Sequence, residues 1–331
     1  MNKKRVLNYL SITLIIVITI IFLQSDFGNI SSLAENVNPL WAACSVVAIA
    51  ACFLFDGLAF NCVSRMFHEG GVLRSIKTIM IGYYHMSITP ISSGGPPSYL
   101  YTMSQDNVSV GKSSSIMAVK FIINELVYVT FLIIFFIYNL DYLREEVGGA
   151  IPLIIIGMLI FISASAAVIA TFQSPESFRK GINWIYGKVR GVIGEERSKK
   201  WDEKIQKAIE DYISGAKSIR KNAKLFAEAC VFNTLKWISY FSIVCFVYLS
   251  LGQEGTSLIR VASLQPLLDV AISFIPVPGK VGVAETTFYL FFRPIFDQES
   301  IGHATVMWRS ITYYLKVLSC GLVSLLNRWR S

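Results

Sequence analysis

The chain is short of charge. Lys, Arg, Asp and Glu make up 16% of its 331 residues, against 53% hydrophobic, where a soluble domain carries about 25% charged residues. Most of the chain must therefore face lipid or other helices, and no length is left for a large soluble domain beside a helical bundle. Histidine is scarce, with three in the sequence. No H-E-x-x-H motif occurs, nor any His/Cys/Asp group at metal-ligand spacing, so no metal site is expected. The six cysteines (Cys44, Cys52, Cys62, Cys230, Cys245, Cys320) all fall in apolar runs without a C-x-x-C pair. That excludes a zinc site or disulfide framework and leaves small buried thiols. Gly279-Lys280 lacks the rest of G-x-x-x-x-G-K-[ST], so a P-loop and direct ATP drive are excluded, and no cofactor is implied.

What the chain does have is length in apolar runs. Six are near the roughly 20 residues that cross a hydrocarbon core: Val6–Leu23, Leu40–Val63, Ile116–Tyr138, Ile151–Phe172, Leu225–Leu251 and His303–Asn327. The first follows Lys3-Lys4-Arg5 with no A-x-A site after it and reads as a retained anchor rather than a cleaved signal. Two further stretches, 76–100 and 263–292, are interrupted by Ser92-Ser93-Gly94-Gly95-Pro96-Pro97 and by Pro276-Val277-Pro278-Gly279-Lys280-Val281-Gly282. Irregular backbone at membrane depth is tolerated only where protein buries it or a wet cavity receives it. A pair of such breaks, one in each half, points to a transporter's binding site.

The net charge of +8 sits in loops beside the apolar runs, which reads as orientation and contact with anionic lipid rather than nucleic acid. If both broken stretches turn back, the segments on the N-terminal side of the bilayer hold 21 Lys/Arg and those on the other side 3. Both termini are then cytoplasmic. Two crossings per stretch preserve the same parity, so charge does not separate the cases; length favours re-entrant hairpins. Two Pro-kinked helices in an ordinary bundle are the plain alternative. The expected fold is an all-α polytopic membrane protein of about six spans plus two oppositely oriented re-entrant hairpins, an inverted repeat without strong internal identity. It forms a single integral-membrane domain. Residues 1–172 make the first half, 173–222 a cytoplasmic linker and 223–331 the second half. The linker carries twelve Lys/Arg against seven Asp/Glu. Its apolar stripe at Trp201, Ile205, Ile209, Tyr212, Ala216 and Ile219 fits a helix lying on an anionic leaflet, or a cap on the bundle's mouth.

A half-helix that starts inside the bilayer offers unpaired N–H groups and partial positive charge to an anion. Gly94, Gly95 and Pro96 in the first break, and Gly279, Lys280 and Gly282 in the second, are candidates for that role. Intramembrane charges need a function or a partner. Arg309 and Lys316 lie two turns apart on one face and, with Lys280, line a cationic path that Glu285 or Asp269 balances. Asp56, Glu125, Asp269 and Lys316 are candidates for ion coupling or charge pairing; structural ion pairs locking helices are the bland reading of all of them. Lys120 and Lys236 read as snorkelling to the interface. His85, beside Tyr83 and Tyr84, reads as packed or headgroup-contacting, not catalytic.

Thr89-Pro90 with Gly94-Gly95-Pro96-Pro97, Tyr99-Leu100-Tyr101 and Val110-Gly111-Lys112-Ser113 resembles the first signature of a bacterial flippase-like family. That family is related to the transmembrane region of lysylphosphatidylglycerol synthase. Phe274-Ile275-Pro276-Val277-Pro278-Gly279 with Val281-Gly282-Val283-Ala284-Glu285 is similar to its second signature, and Trp308-Arg309 to its arginine in the last span. The resemblance covers most of the chain after the first span. It implies a polytopic helical fold with two re-entrant hairpins, movement of lipid between leaflets and a bacterial cytoplasmic-membrane location. Larger members attach a soluble aminoacyltransferase domain. This chain ends just after its last span, so the lipid-modifying activity is not carried over and no enzyme is expected. Lys280 stands where the family more often has a second Gly, and Pro96 where a polar residue is usual. The function expected is a flippase-like transporter of an anionic phospholipid or polyprenyl phosphate, through a polar cavity between the hairpins. A small-anion transporter or a non-transporting partner subunit is the alternative. An intramembrane lipid-modifying enzyme is the second; Asp56-Gly57 faintly resembles the start of a CDP-alcohol phosphotransferase motif, whose further aspartates are missing before Asp106.

Overall fold

The computed structural model describes residues 37–173, Trp184 and 222–330. The expected first span and the amphipathic linker helix lie outside the described residues. The described chain is helical: α1 (Pro39–Arg65), α2 (Val72–Ile88), α3 (Gly95–Gln105), α4 (Val110–Tyr138), α5 (Leu140–Glu146), α6 (Ile151–Gln173), α7 (Ala223–Ser250), α8 (Leu258–Ala271), α9 (Val283–Phe292), α10 (Ser300–Arg309) and α11 (Lys316–Arg330), with a π-helical segment, Ser310–Leu315, between the last two. Helices α1, α4 and α7 are each long and apolar enough to cross a membrane. Helix α5 and residues 148–163 form a bent pair, turned by 110°, that meets the same test together. The protein is an all-α, multi-pass membrane protein.

Local chemistry explains where the long helices begin. Asn38 caps α1, its side chain accepting the Leu40 N–H at 3.0 Å, and Pro39 opens the first turn where its missing N–H costs nothing. Ser109 caps α4 in the same way through Lys112 N. Helices α1 and α7 pack along most of their length and run antiparallel. Asn38 N donates to Ser250 O (2.7 Å) at one end, while Cys62 lies against Glu228 at the other.

Both broken stretches turn back. In the first, α2 and α3 pack together, and Arg74 and Lys77 near the start of α2 meet Asp106 just past the end of α3 at 3.5 and 3.7 Å. Gly82 is what lets them close: a β-carbon there would lie 2.1 Å from the Tyr99 ring. In the second, Tyr142 of α5 ties both ends, stacking near Arg260 of α8 and donating to Phe291 O of α9 at 2.7 Å. The first hairpin is rooted near Arg65, the second near Ser250, at opposite ends of the α1/α7 pair. Their tips, Pro90–Ser92 and Pro278–Lys280, meet in the middle of the bundle.

Residues 139–150, between two of the expected spans, contain the helix α5, whose Tyr142 and Leu143 are buried anchors. One expectation needs correction. The last span is not one continuous helix: six residues widen into a π-turn between Arg309 and Lys316.

Candidate functional site

The tips enclose a cavity with two lobes. The smaller, about 180 Å³, is walled by both hairpin tips and the π-segment, with Thr89, Ser92, Gly279, Arg309 and Tyr313 in its lining. The larger, about 470 Å³, is bounded by α1, α4, α6 and α7 and is mostly apolar and aromatic. Tyr83, Met86, Ser92, Tyr240, Asp269, Lys280 and Lys316 line both lobes, so the two are continuous.

Arg309 holds the second tip. Its Nε donates to Glu285 Oε1 at 2.7 Å, and its Nη2 donates to the Gly279 carbonyl. Glu285 in turn accepts the Gly282 N–H on Oε2 at 2.7 Å, closing the N-terminus of its own half-helix. Arginine and glutamate are 7% exposed each, so losing either partner would strand a buried charge. Gly279 sits at φ +63, and a β-carbon on it would overlap the Tyr313 hydroxyl. The guanidinium also lies 4.2 Å from the Tyr313 ring centre, and Tyr313 Oη donates to Ser87 O of the first hairpin at 3.3 Å. The π-segment thus contacts both tips. Single π-turns inside α-helices gather at functional sites.

The first tip offers fewer donors than its sequence promised. Gly94 N–H is taken by Thr89 Oγ1 (2.8 Å), and Pro96 and Pro97 have none to give. Gly94 lies against the His85 carbonyl and Gly95 against Met86. Pro96 lines the larger lobe. At each tip a side chain of the hairpin itself takes one N–H at the half-helix start, Thr89 at the first and Glu285 at the second.

Lys120 and Lys236 do not snorkel. Both line the larger lobe and converge on Asp56, which is wholly buried. Lys120 Nζ is 3.2 Å and Lys236 Nζ 3.9 Å from Oδ1, and Tyr83 Oη donates to Oδ2 at 2.7 Å. Lys236 also donates to Asn124 Oδ1 (2.7 Å), whose amide donates to Glu125 Oε1 (3.2 Å). The Lys236 ammonium rests 4.0 Å from the Trp237 ring centre. Asp269 accepts from Gln265 at 3.2 Å. The Lys280 and Lys316 ammonium groups, by contrast, have no hydrogen bond and no carboxylate within ion-pair distance among the described residues. Sequence reading singled out neither Lys120 and Lys236 as site residues nor Asn124, Trp237, Tyr240 and Tyr313; only the charges inside apolar runs could have signalled the first two.

Comparison with known proteins agrees with this architecture. Residues 8–320 match the family model described as the lysylphosphatidylglycerol synthase TM region. A relative in Archaeoglobus fulgidus, described as a UPF0104 membrane protein, is 22% identical over 307 residues, covering 92% of this chain and 91% of its own length. No solved structure gives a significant match.

Proposed function

Because the chain belongs to the family of the lysylphosphatidylglycerol synthase transmembrane region, we propose that it is a flippase-like lipid transporter rather than an enzyme. An anionic headgroup, of a phospholipid or a polyprenyl phosphate, passes through the cavity between the hairpin tips while its acyl chains remain in lipid. One observation carries the reading. Lys280 and Lys316, two uncompensated cations, stand on the wall shared by the polar and apolar lobes. Buried cations without a carboxylate partner are costly, and a phosphate supplies the missing charge with charge-assisted hydrogen bonds. Residues in this chain that would hold it are Lys280 and Lys316, with Arg309 fixing the tip through Gly279 and Glu285. Asp269, facing both lysines across the same cavity, is the group placed to exchange partners as the anion enters or leaves.

The membrane is proposed to be the bacterial cytoplasmic membrane, with both termini cytoplasmic. Arg65, Arg74, Lys77 and Lys112 gather at the root of the first hairpin, which fits that end facing inside. Membrane lipid is the partner; nucleic acid is not.

The test is transbilayer movement in liposomes. Purified protein is reconstituted with fluorescent-headgroup lipids of several classes, and a membrane-impermeant quencher reports the protected fraction. Protection is expected to fall with the wild type and to return with Arg309→Ala or Lys316→Ala. Inserted protein that moves no lipid of any class refutes autonomous translocation and favours a small soluble anion.

A further inference from the structure

The larger lobe has more than twice the volume of the smaller, about 470 against 180 Å³, and its wall suits hydrocarbon. Phe53, Tyr99, Phe121, Phe161 and Trp237 line it, with Ile49 and Met117. Its charges are already answered within the protein, Lys120 and Lys236 by Asp56 and Glu125 by Asn124. Its hydroxyls are spent as well. Tyr83 donates to Asp56 at 2.7 Å, Tyr128 to Pro266 O at 3.2 Å and Ser273 to Asp269 O. Tyr99 Oη donates to Met86 Sδ at 3.8 Å, and Tyr240 bonds Asp269. The Trp237 N–H has no surface open to the cavity. Among the described lining residues Ser92, on the wall shared with the smaller lobe, keeps a free hydroxyl.

Such a space takes a hydrocarbon chain more readily than a polar headgroup, whose groups would lose water and find no partner. The same shortage of donors separates lipids by how the chain joins the phosphate. A diacyl phospholipid places two ester carbonyls within a few bonds of its phosphate, and each needs a donor once water is excluded. With the phosphate between Lys280 and Lys316 on the shared wall, those carbonyls fall where Ser92 offers the free hydroxyl, and the phosphate competes for it. A chain bonded directly to a phosphate oxygen brings no carbonyl. Its first carbon passes from the shared wall straight into the apolar lobe. The lobe also has a way out. Phe121 lines it and is 39% exposed, and Pro96 lines it and is exposed, so a chain longer than the lobe continues past them into the bilayer.

We infer that the larger lobe is a chain subsite, and that the lipid taken is a phosphate monoester of a single long-chain alcohol, the polyprenyl phosphate class rather than a diacyl phospholipid. The phosphate lies between Lys280 and Lys316, the first carbons of the chain lie among the aromatic residues of the larger lobe, and the rest leaves beside Phe121. This rests on the lipid-transport reading above and narrows its two substrate classes to one.

The experiment measures binding rather than transport, so the two readings fail separately. The full chain in phosphatidylcholine nanodiscs is titrated with three probes, and its thermal unfolding is followed to obtain apparent affinities. The probes are farnesyl phosphate, dioctanoyl phosphatidic acid and inorganic phosphate. The two lipids carry the same terminal phosphate and differ in the ester carbonyls and the branch. Farnesyl phosphate is expected to bind about tenfold tighter than dioctanoyl phosphatidic acid, the worth of one carbonyl left without a donor. Inorganic phosphate is expected to be the weakest of the three. Met117→Trp, which fills the lobe from α4, should weaken farnesyl phosphate about tenfold and leave inorganic phosphate within about twofold, which reports that the fold and the anion site are intact. Ile49→Phe fills the lobe from α1 and should act in the same way. Equal affinity of the wild type for the two lipids overturns the single-chain subsite and leaves lipid transport standing. Wild-type binding of farnesyl phosphate by both filled variants does the same. Inorganic phosphate binding as tightly as either lipid overturns a lipid as the source of the phosphate, and with it the reading on which the subsite rests.

Discussion

Lys280 combines a needed charge with a backbone that a lysine rarely adopts. It sits at φ +54, in the left-handed region, where a β-carbon costs roughly 1–2 kcal/mol. Lys280→Gly removes that strain, though it also frees the unfolded chain, a loss of about 0.4–1 kcal/mol. Lys280→Ala keeps the strain. Both delete the same ammonium. The glycine variant is therefore expected to unfold later than the alanine variant, by about 1 kcal/mol, in thermal melts of ligand-free protein in nanodiscs. Both variants should lose anionic-lipid binding alike, by about 1.5–3 kcal/mol, the value of a hydrogen bond to a charged group. That is roughly ten- to a hundredfold in apparent affinity. An alanine variant as stable as the glycine variant would refute the strain argument. A glycine variant that still moves lipid at the wild-type rate would refute the role of the charge. Backbone geometry alone prefers glycine at this position.

Glu285→Leu alone should destabilise the protein by about 3–5 kcal/mol, since Arg309 is left buried without its carboxylate; combining it with Arg309→Met should recover much of the loss in the same melt. Asp56→Leu should cost more stability than Lys120→Met, because it leaves two ammonium groups facing each other, and an unfolding comparison reporting the reverse order would refute the shared-partner geometry. Gly82→Leu is expected to open the first hairpin through overlap with Tyr99, costing about 1–3 kcal/mol or more, with limited proteolysis at residues 89–94 as the readout. Tyr313→Phe should lose only the long bond to Ser87, about 0.5 kcal/mol, and leave lipid binding near the wild-type level.

Apolar length and Gly/Pro punctuation are local properties, and they were legible. The expected spans 40–63, 116–138, 151–172 and 225–251 lie within α1, α4, α6 and, but for one residue, α7. The hairpins run longer than read because their outer turns carry Arg74, Gln105 and Arg260, which hydropathy counts as loop. Pairing across the bundle was not legible. Asp56 meets Lys120 and Lys236 at sequence separations that no periodicity spans. Moreover, α4 begins at Val110 rather than at residue 116, so Lys120 lies three turns inside the helix and not at its edge. The capture of Gly282 N–H by Glu285 was within reach, being a three-residue spacing at a helix start. The π-turn left no signal in composition, since Ser310–Leu315 reads as ordinary helix.

That π-turn makes the last helix a counting device. An α-helix advances about 100° per residue, so one residue inserted into Ser310–Leu315, beyond the extra one its π-turn already takes up, would swing Lys316 and everything after it by more than a quarter-turn away from Arg309. Loops can change length without touching this pair, whereas such an insertion separates the two cations that frame the cavity. It would be read by the membrane as a change of charge, although no charged residue had been altered.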